Sequence, residues 1–173
     1  MKSLRRYGFL LLFAVLLIPL VLQFVFFPSK HQDLTINPLK GLNSVSFGDS
    51  RETIEALIGP PQLTTSAGAL VYPDLGMVLY MRNRSALSAI EVFTPESNPS
   101  VRASFPGTIG GVIRLQCSLS AATKAIGEPR SVAKDDEDVT AEWPQLGLTL
   151  HFLDDRLLQA YATDAAAGAA AVQ

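Results

Sequence analysis

The sequence predicts an α+β protein: an N-terminal transmembrane helix, then two tandem helix-plus-antiparallel-hairpin repeats sharing one sheet. Three observations predict it. Residues 7–27 are apolar except for Gly8, Pro19 and Gln23. Two later stretches match each other in ordered blocks. Within each stretch a short helical stripe of apolar residues gives way to period-two alternation.

The average composition conceals this division. The chain has 173 residues, with 14 Lys and Arg against 16 Asp and Glu. The first 27 residues hold three of the bases, Lys2, Arg5 and Arg6, and no acid, so the remainder is net acidic. That balance argues against a nucleic-acid-binding domain. One cysteine, Cys117, rules out an internal disulfide framework. With only His31 and His151, little is left for a histidine-built metal centre, and no cofactor is expected.

The apolar run is long enough to span a bilayer core as a helix. It ends in Phe24-Val25-Phe26-Phe27-Pro28, with bulky rings where a cleavable signal needs small residues. An uncleaved anchor is therefore expected over residues 7–27, with the lipid bilayer as its partner. The bases preceding the run put the N-terminus in the cytoplasm. The expected placement is a single-pass protein of a bacterial inner membrane, with its outer domain periplasmic or extracellular. Residues 1–27 thus read as cytoplasmic stub and anchor, and residues 28–40 as a polar linker.

Residues 41–94 and 109–164 read as the two repeats. At an offset of 68, Phe47-Gly48-Asp49-Ser50 falls on Leu115-Gln116-Cys117-Ser118, and Ile58-Gly59-Pro60-Pro61 on Ile126-Gly127-Glu128-Pro129. At an offset of 71, Tyr72-Pro73-Asp74-Leu75-Gly76-Met77 falls on Trp143-Pro144-Gln145-Leu146-Gly147-Leu148. Ordered blocks with Gly and Pro in register indicate duplication.

Each repeat opens with a short helix. In the first, Asp49 and Glu52 have capping-box spacing, and Ile54, Leu57 and Ile58 form one stripe. In the second, Ser118 can cap, and Ala122, Ala125 and Ile126 form the stripe. Gly59 and Gly127 suit helix ends, and the prolines after them prevent continuation. Strands are expected over residues 69–72, 75–81 and 89–93, and over 139–143, 146–153 and 157–163. In the central strands, Leu75, Met77, Leu79 and Met81, like Leu146, Leu148, Leu150 and Phe152, should face the helices. Val78, Tyr80 and Arg82, and Thr149, His151 and Leu153, should face away. Residues 95–108 carry three prolines and read as an exposed linker, and residues 165–173 as a disordered tail.

A helix ending in Ile-Gly-x-Pro, an aromatic strand, then Leu-Gly-hydrophobic and a hairpin resembles the β-lactamase-inhibitory-protein-like superfamily. That superfamily includes the BamE (SmpA/OmlA) lipoproteins. The resemblance covers residues 41–164 as two tandem copies. It implies a non-catalytic binder of other proteins in the cell envelope. The chain departs from that pattern in having one cysteine and no cysteine at the end of the apolar run.

The functional expectation is a membrane-anchored adaptor or inhibitor domain, not an enzyme, whose partner is another envelope or extracellular protein. The candidate contact residues are Tyr80 and His151 on the outward face, and Tyr72 and Trp143 as aromatic anchors. Asp135, Asp136, Glu137 and Asp138 form an acidic hairpin tip that could meet a basic partner. The alternatives are an immunity protein against an envelope-acting toxin, and a small hydrolase using His151 with Asp154 or Asp155. No nucleophile-elbow, dinucleotide-binding or P-loop motif is present.

Overall fold

The computed structural model describes residues 34–164. The first strands, β1 (Thr35–Asn37), β2 (Gly41–Leu42) and β3 (Val45–Ser46), lead into helix α1 (Arg51–Ile58). Then come β4 (Leu63–Thr64), β5 (Leu70–Tyr72), β6 (Met77–Arg82), β7 (Ala86–Phe93) and β8 (Thr108–Ile109). Helix α2 (Leu119–Ile126) precedes β9 (Ser131–Asp135), β10 (Asp138–Trp143), β11 (Leu148–Leu153) and β12 (Arg156–Thr163).

This corrects the α+β expectation. The described residues are mostly β, with twelve strands in two sheets and only two helices of eight residues each. The larger sheet is antiparallel, in the order β4-β5-β6-β7-β12-β11-β10-β9. The smaller has the order β3-β2-β1-β8, with β1 and β8 parallel. The second sheet was missed because its strands are two or three residues long, too short to show a period. It uses residues from both stretches read as linkers. Ile36 and Ile109 are buried in the main core, as are Phe105 and Ile113 nearby.

The expected anchor over residues 7–27 and the expected tail over 165–173 lie outside the described residues. Among the described residues no helix is long and apolar enough to cross a membrane. The described residues therefore give no support to the single-pass inner-membrane placement, with its transmembrane helix and signal-anchor.

Local chemistry explains the helices. Ser50 caps α1 by accepting the Thr53 N–H at 3.3 Å, and Ser118 caps α2 by accepting the Ala121 N–H at 3.2 Å. The expected Asp49–Glu52 box is displaced by one residue, because the Asp49 carboxylate already accepts the Ser46 N–H at 2.7 Å. Glu52 instead accepts the Ser50 hydroxyl, and this hydrogen bond lowers its pKa. Gly59 and Gly127 end the helices at φ 93°, ψ 170° and φ 91°, ψ 179°, conformations open essentially to glycine. The helical stripes are narrower than expected. Ile54 and Ala122 are fully buried, Ile58 and Ile126 pack partly, and Leu57 and Ala125 are exposed.

The two matched stretches use the same devices at matching positions. The Tyr72 hydroxyl donates to the Gly59 carbonyl at 3.0 Å, and the Trp143 indole N–H donates to the Gly127 carbonyl at 2.8 Å. Each buried ring thus ties its strand to the end of its helix. A 3₁₀ turn follows each ring, at Pro73–Leu75 and Pro144–Leu146. Both turns end on a left-handed glycine, Gly76 or Gly147. The carbonyls of these glycines accept the N–H of Phe93 and Thr163, both at 2.8 Å.

The inner face of the large sheet forms the main core with the helices and the small sheet. Met77, Leu79, Ile90, Leu148, Leu150, Phe152, Ala160 and Ala162 all lie in it. The outer face is divided. Near β5, Val71, Val78 and Phe93 are covered by Val101, forming a second cluster with Ala69. Hence Val78, expected to face outward into solvent, is buried by a segment read as linker. Across β12, β11 and β10 the outer face carries polar side chains instead.

Candidate outer-face site

The centre of the outer face is set by the pairing of β7 with β12, where Glu91 lies opposite Tyr161 and Phe93 opposite Gln159. Continuing across the sheet, Tyr161 pairs with Thr149 and Thr149 with Glu142. The neighbouring row runs Gln159, His151, Thr140. Period-two alternation places all these side chains on one face. One-residue irregularities after Tyr80 and after His151 preserve that arrangement at matching positions.

Glu91 organises the site. Its two carboxylate oxygens accept hydrogen bonds from the Tyr80 hydroxyl and the Gln159 amide. The rings of Tyr80 and Tyr161 meet edge to face, with centroids 6.1 Å apart. They stand on β6 and β12, two strands apart, and the register partner of Tyr80 on the intervening strand is small Ala89. Burial is the main cause raising both phenol pKa values, with the Glu91 charge adding to it. Both hydroxyls therefore remain protonated at neutral pH, and that of Tyr80 acts as a neutral donor. Beside them Arg82 pairs with Asp164. Glu142 accepts the Ser131 hydroxyl at 2.7 Å.

The expected contact residues separate into three groups. Tyr80 and His151 lie on the outer face; Tyr80 is 36% exposed and His151 half-buried. Tyr72 and Trp143 are 1% and 0% exposed, so neither ring can touch a partner. They fall on the inner register of β5 and β10, where their polar tips serve the helix ends. Asp135, Asp136, Glu137 and Asp138 are all exposed at the β9–β10 turn, on the sheet edge. Among the described residues no group of three or more His, Cys, Asp or Glu side chains is placed to hold a metal ion.

His151 and Asp155, residues of the hydrolase alternative, each have another hydrogen-bond partner. His151 Nδ1 lies 3.0 Å from the Thr140 hydroxyl. The Asp155 carboxylate accepts the Leu119 N–H at 3.1 Å, at the start of α2. Asp154 and Asp155 are both left-handed, at φ 51° and 55°, and form the β11–β12 turn, matching Asn83 and Arg84 between β6 and β7. Cys117 is half-buried, and burial pushes its thiol pKa up rather than down.

Sequence reasoning missed Glu91, Gln159 and Glu142. Each lies on an expected strand, but no single strand marks it as central. Their grouping arises from which strands meet.

No protein-family model matches the chain, and no curated protein matches it. Two solved structures are similar in shape. One is a DUF4309 family protein (YjgB) from Bacillus subtilis subsp. subtilis str. 168, with 13% identity and a TM-score of 0.43. The similarity covers 66% of this chain and 78% of that one. The other is an extracellular protein containing a SCP domain from Bacillus anthracis str. Ames, also with 13% identity and a TM-score of 0.43. It covers 68% of this chain and 44% of that one. No family model of the β-lactamase-inhibitory-protein-like superfamily matches the chain, so that resemblance rests on the sequence motifs alone. The chain is a small β-rich domain over residues 34–164.

Proposed function

We propose that this domain is a non-catalytic protein-binding module that uses the outer face of its large sheet. The observation that carries the reading is the contrast between the two faces. The inner face is closed by helices and a second sheet, whereas the outer face presents Tyr80, Tyr161 and His151 beside Glu91 and Gln159. Rigid aromatic rings with polar tips are preferred anchors at protein interfaces, because they offer area at little entropic cost. Their strand positions are fixed by pairing on both sides, so little order has to be imposed on binding. The Ile-Gly-x-Pro and Leu-Gly motifs, which resemble those of a superfamily of non-catalytic binders, point the same way.

The test is site-specific photo-crosslinking in the native cell, with the probe at Tyr80, at His151 and at Ala125 on the exposed side of α2. A discrete adduct is expected from the first two positions only, and its protein component, purified, should rebind the purified chain. Adducts absent from both outer-face positions, or equally strong from Ala125, would overturn the proposal.

A further inference from the structure

Resting on that reading, we propose that the occupant of the outer face is an extended basic segment of a partner protein, with one arginine at Glu91 and another at Glu142. Charge complementarity carries the argument. Among the described residues no Lys or Arg forms an ion pair with either carboxylate. Glu91 is held by the Tyr80 hydroxyl and the Gln159 amide, and Glu142 by the Ser131 hydroxyl. These donors are neutral, so they position the carboxylates without cancelling their charge. Arg82, the one base on the outer register of β6, pairs with Asp164. Lys134 stands opposite Val139, on the inner register. Arg156, on the outer register of β12 opposite Leu153, pairs with Glu96 at 3.6 Å, so the outer face is left negative, and Asp135 and Asp138 extend that charge towards its edge.

The surroundings of Glu91 favour a guanidinium over a compact ammonium. A carboxylate has about four lone-pair sites, and two here are taken, leaving room for a forked donor. The Tyr80 and Tyr161 rings beside it offer aromatic surface on which a planar cation can stack. Glu91 and Glu142 are separated by the strands of Tyr161 and Thr149. At about 4.8 Å per strand the carboxylates stand roughly 14 Å apart. Two side chains four residues apart on an extended segment are separated by about 13 Å. A segment crossing the strands can thus reach both carboxylates.

The probe is the peptide acetyl-Gly-Arg-Ser-Ala-Ser-Arg-Gly-amide, titrated into the ¹⁵N-labelled full-length chain, with a twin in which citrulline replaces both arginines. Citrulline keeps the shape and removes the charge. The arginine peptide should shift the amides of Glu91, Tyr161, Thr149 and Glu142, and bind at least about tenfold more tightly than its twin. Added salt should weaken it. Glu91→Gln should reduce its affinity about tenfold while the remaining amide pattern is kept. Should that variant lose its fold, Glu142→Gln must show the weakening instead. Equal affinity for the twin, shifts confined to another surface, or unaltered binding by a folded Glu91→Gln variant overturns the inference. A twin that binds this face as tightly removes the basic partner but leaves the protein-binding face standing. Loss of the crosslinks at Tyr80 and His151 removes that face whatever the peptide does.

Discussion

Replacing Tyr72 by Phe removes one oxygen from a ring that is 1% exposed, and with it the hydrogen bond to Gly59. No cavity of consequence is created, so near pH 7 the loss is that of one neutral hydrogen bond, about 1 kcal/mol. Alkaline pH reverses the comparison. Burial, aided by the negative charge of Glu55, raises the Tyr72 pKa from 10.0 to about 12. The folded protein therefore favours the protonated phenol. The stability that this linkage contributes is full below about pH 10 and declines as the pH rises to about 12. Two pH units at about 1.4 kcal/mol each amount to roughly 2–3 kcal/mol lost by the wild type and retained by Tyr72→Phe. Tyr80, Tyr161 and Cys117, whose pKa values are also raised, titrate in both proteins and cancel in the difference. Urea unfolding followed by circular dichroism, from about pH 7 to about pH 12, measures it. The variant should be the less stable protein at the low end and the more stable at the high end. A difference of constant sign and size across the range would refute the desolvation argument.

Two further predictions concern backbone and thiol. Gly76→Ala puts a Cβ 2.4 Å from the Ala103 carbonyl oxygen and 2.6 Å from the Phe105 nitrogen, both backbone atoms, at φ 56°. Gly127→Ala meets nothing within 4 Å and suffers only from its φ of 91°. Urea midpoints should show a loss of about 3 kcal/mol or more for the first and about 1–2 kcal/mol for the second; equal losses would contradict the packing at Gly76. Cys117, half-buried and with its pKa raised chiefly by that burial, should be alkylated by iodoacetamide at least about fivefold more slowly in the folded protein than in urea near pH 7.5. Faster reaction in the folded state would mean that the start of α2 activates the thiol.

Much of the local structure was legible because its causes are local. Ser118, Gly59 and Gly127 act on backbone within a few residues, and the Pro-x-Leu-Gly turns depend on short-range dihedral preference. The alternation in Met77, Leu79 and Met81 reports burial on one side of a strand. The acidic tip was visible as a run of charge. Tyr72 and Trp143 show where this reasoning ends. Their matched positions revealed a shared role, but a strand aromatic can serve a core or an interface, and only the position of the helix end above it decided for the core.

What the sequence by itself determined is the set of repeated local devices and the two-sidedness of the strands, because caps, glycine turns and period two are written in neighbouring residues. Tertiary structure alone decided that the class is mostly β, since strands of two or three residues, such as Thr35–Asn37 and Thr108–Ile109, exist only through partners far along the chain. It also decided the site. Glu91 and Tyr161 are seventy positions apart in sequence. They become neighbours because β7 pairs with β12, and backbone hydrogen bonding carries no record of that choice within either strand.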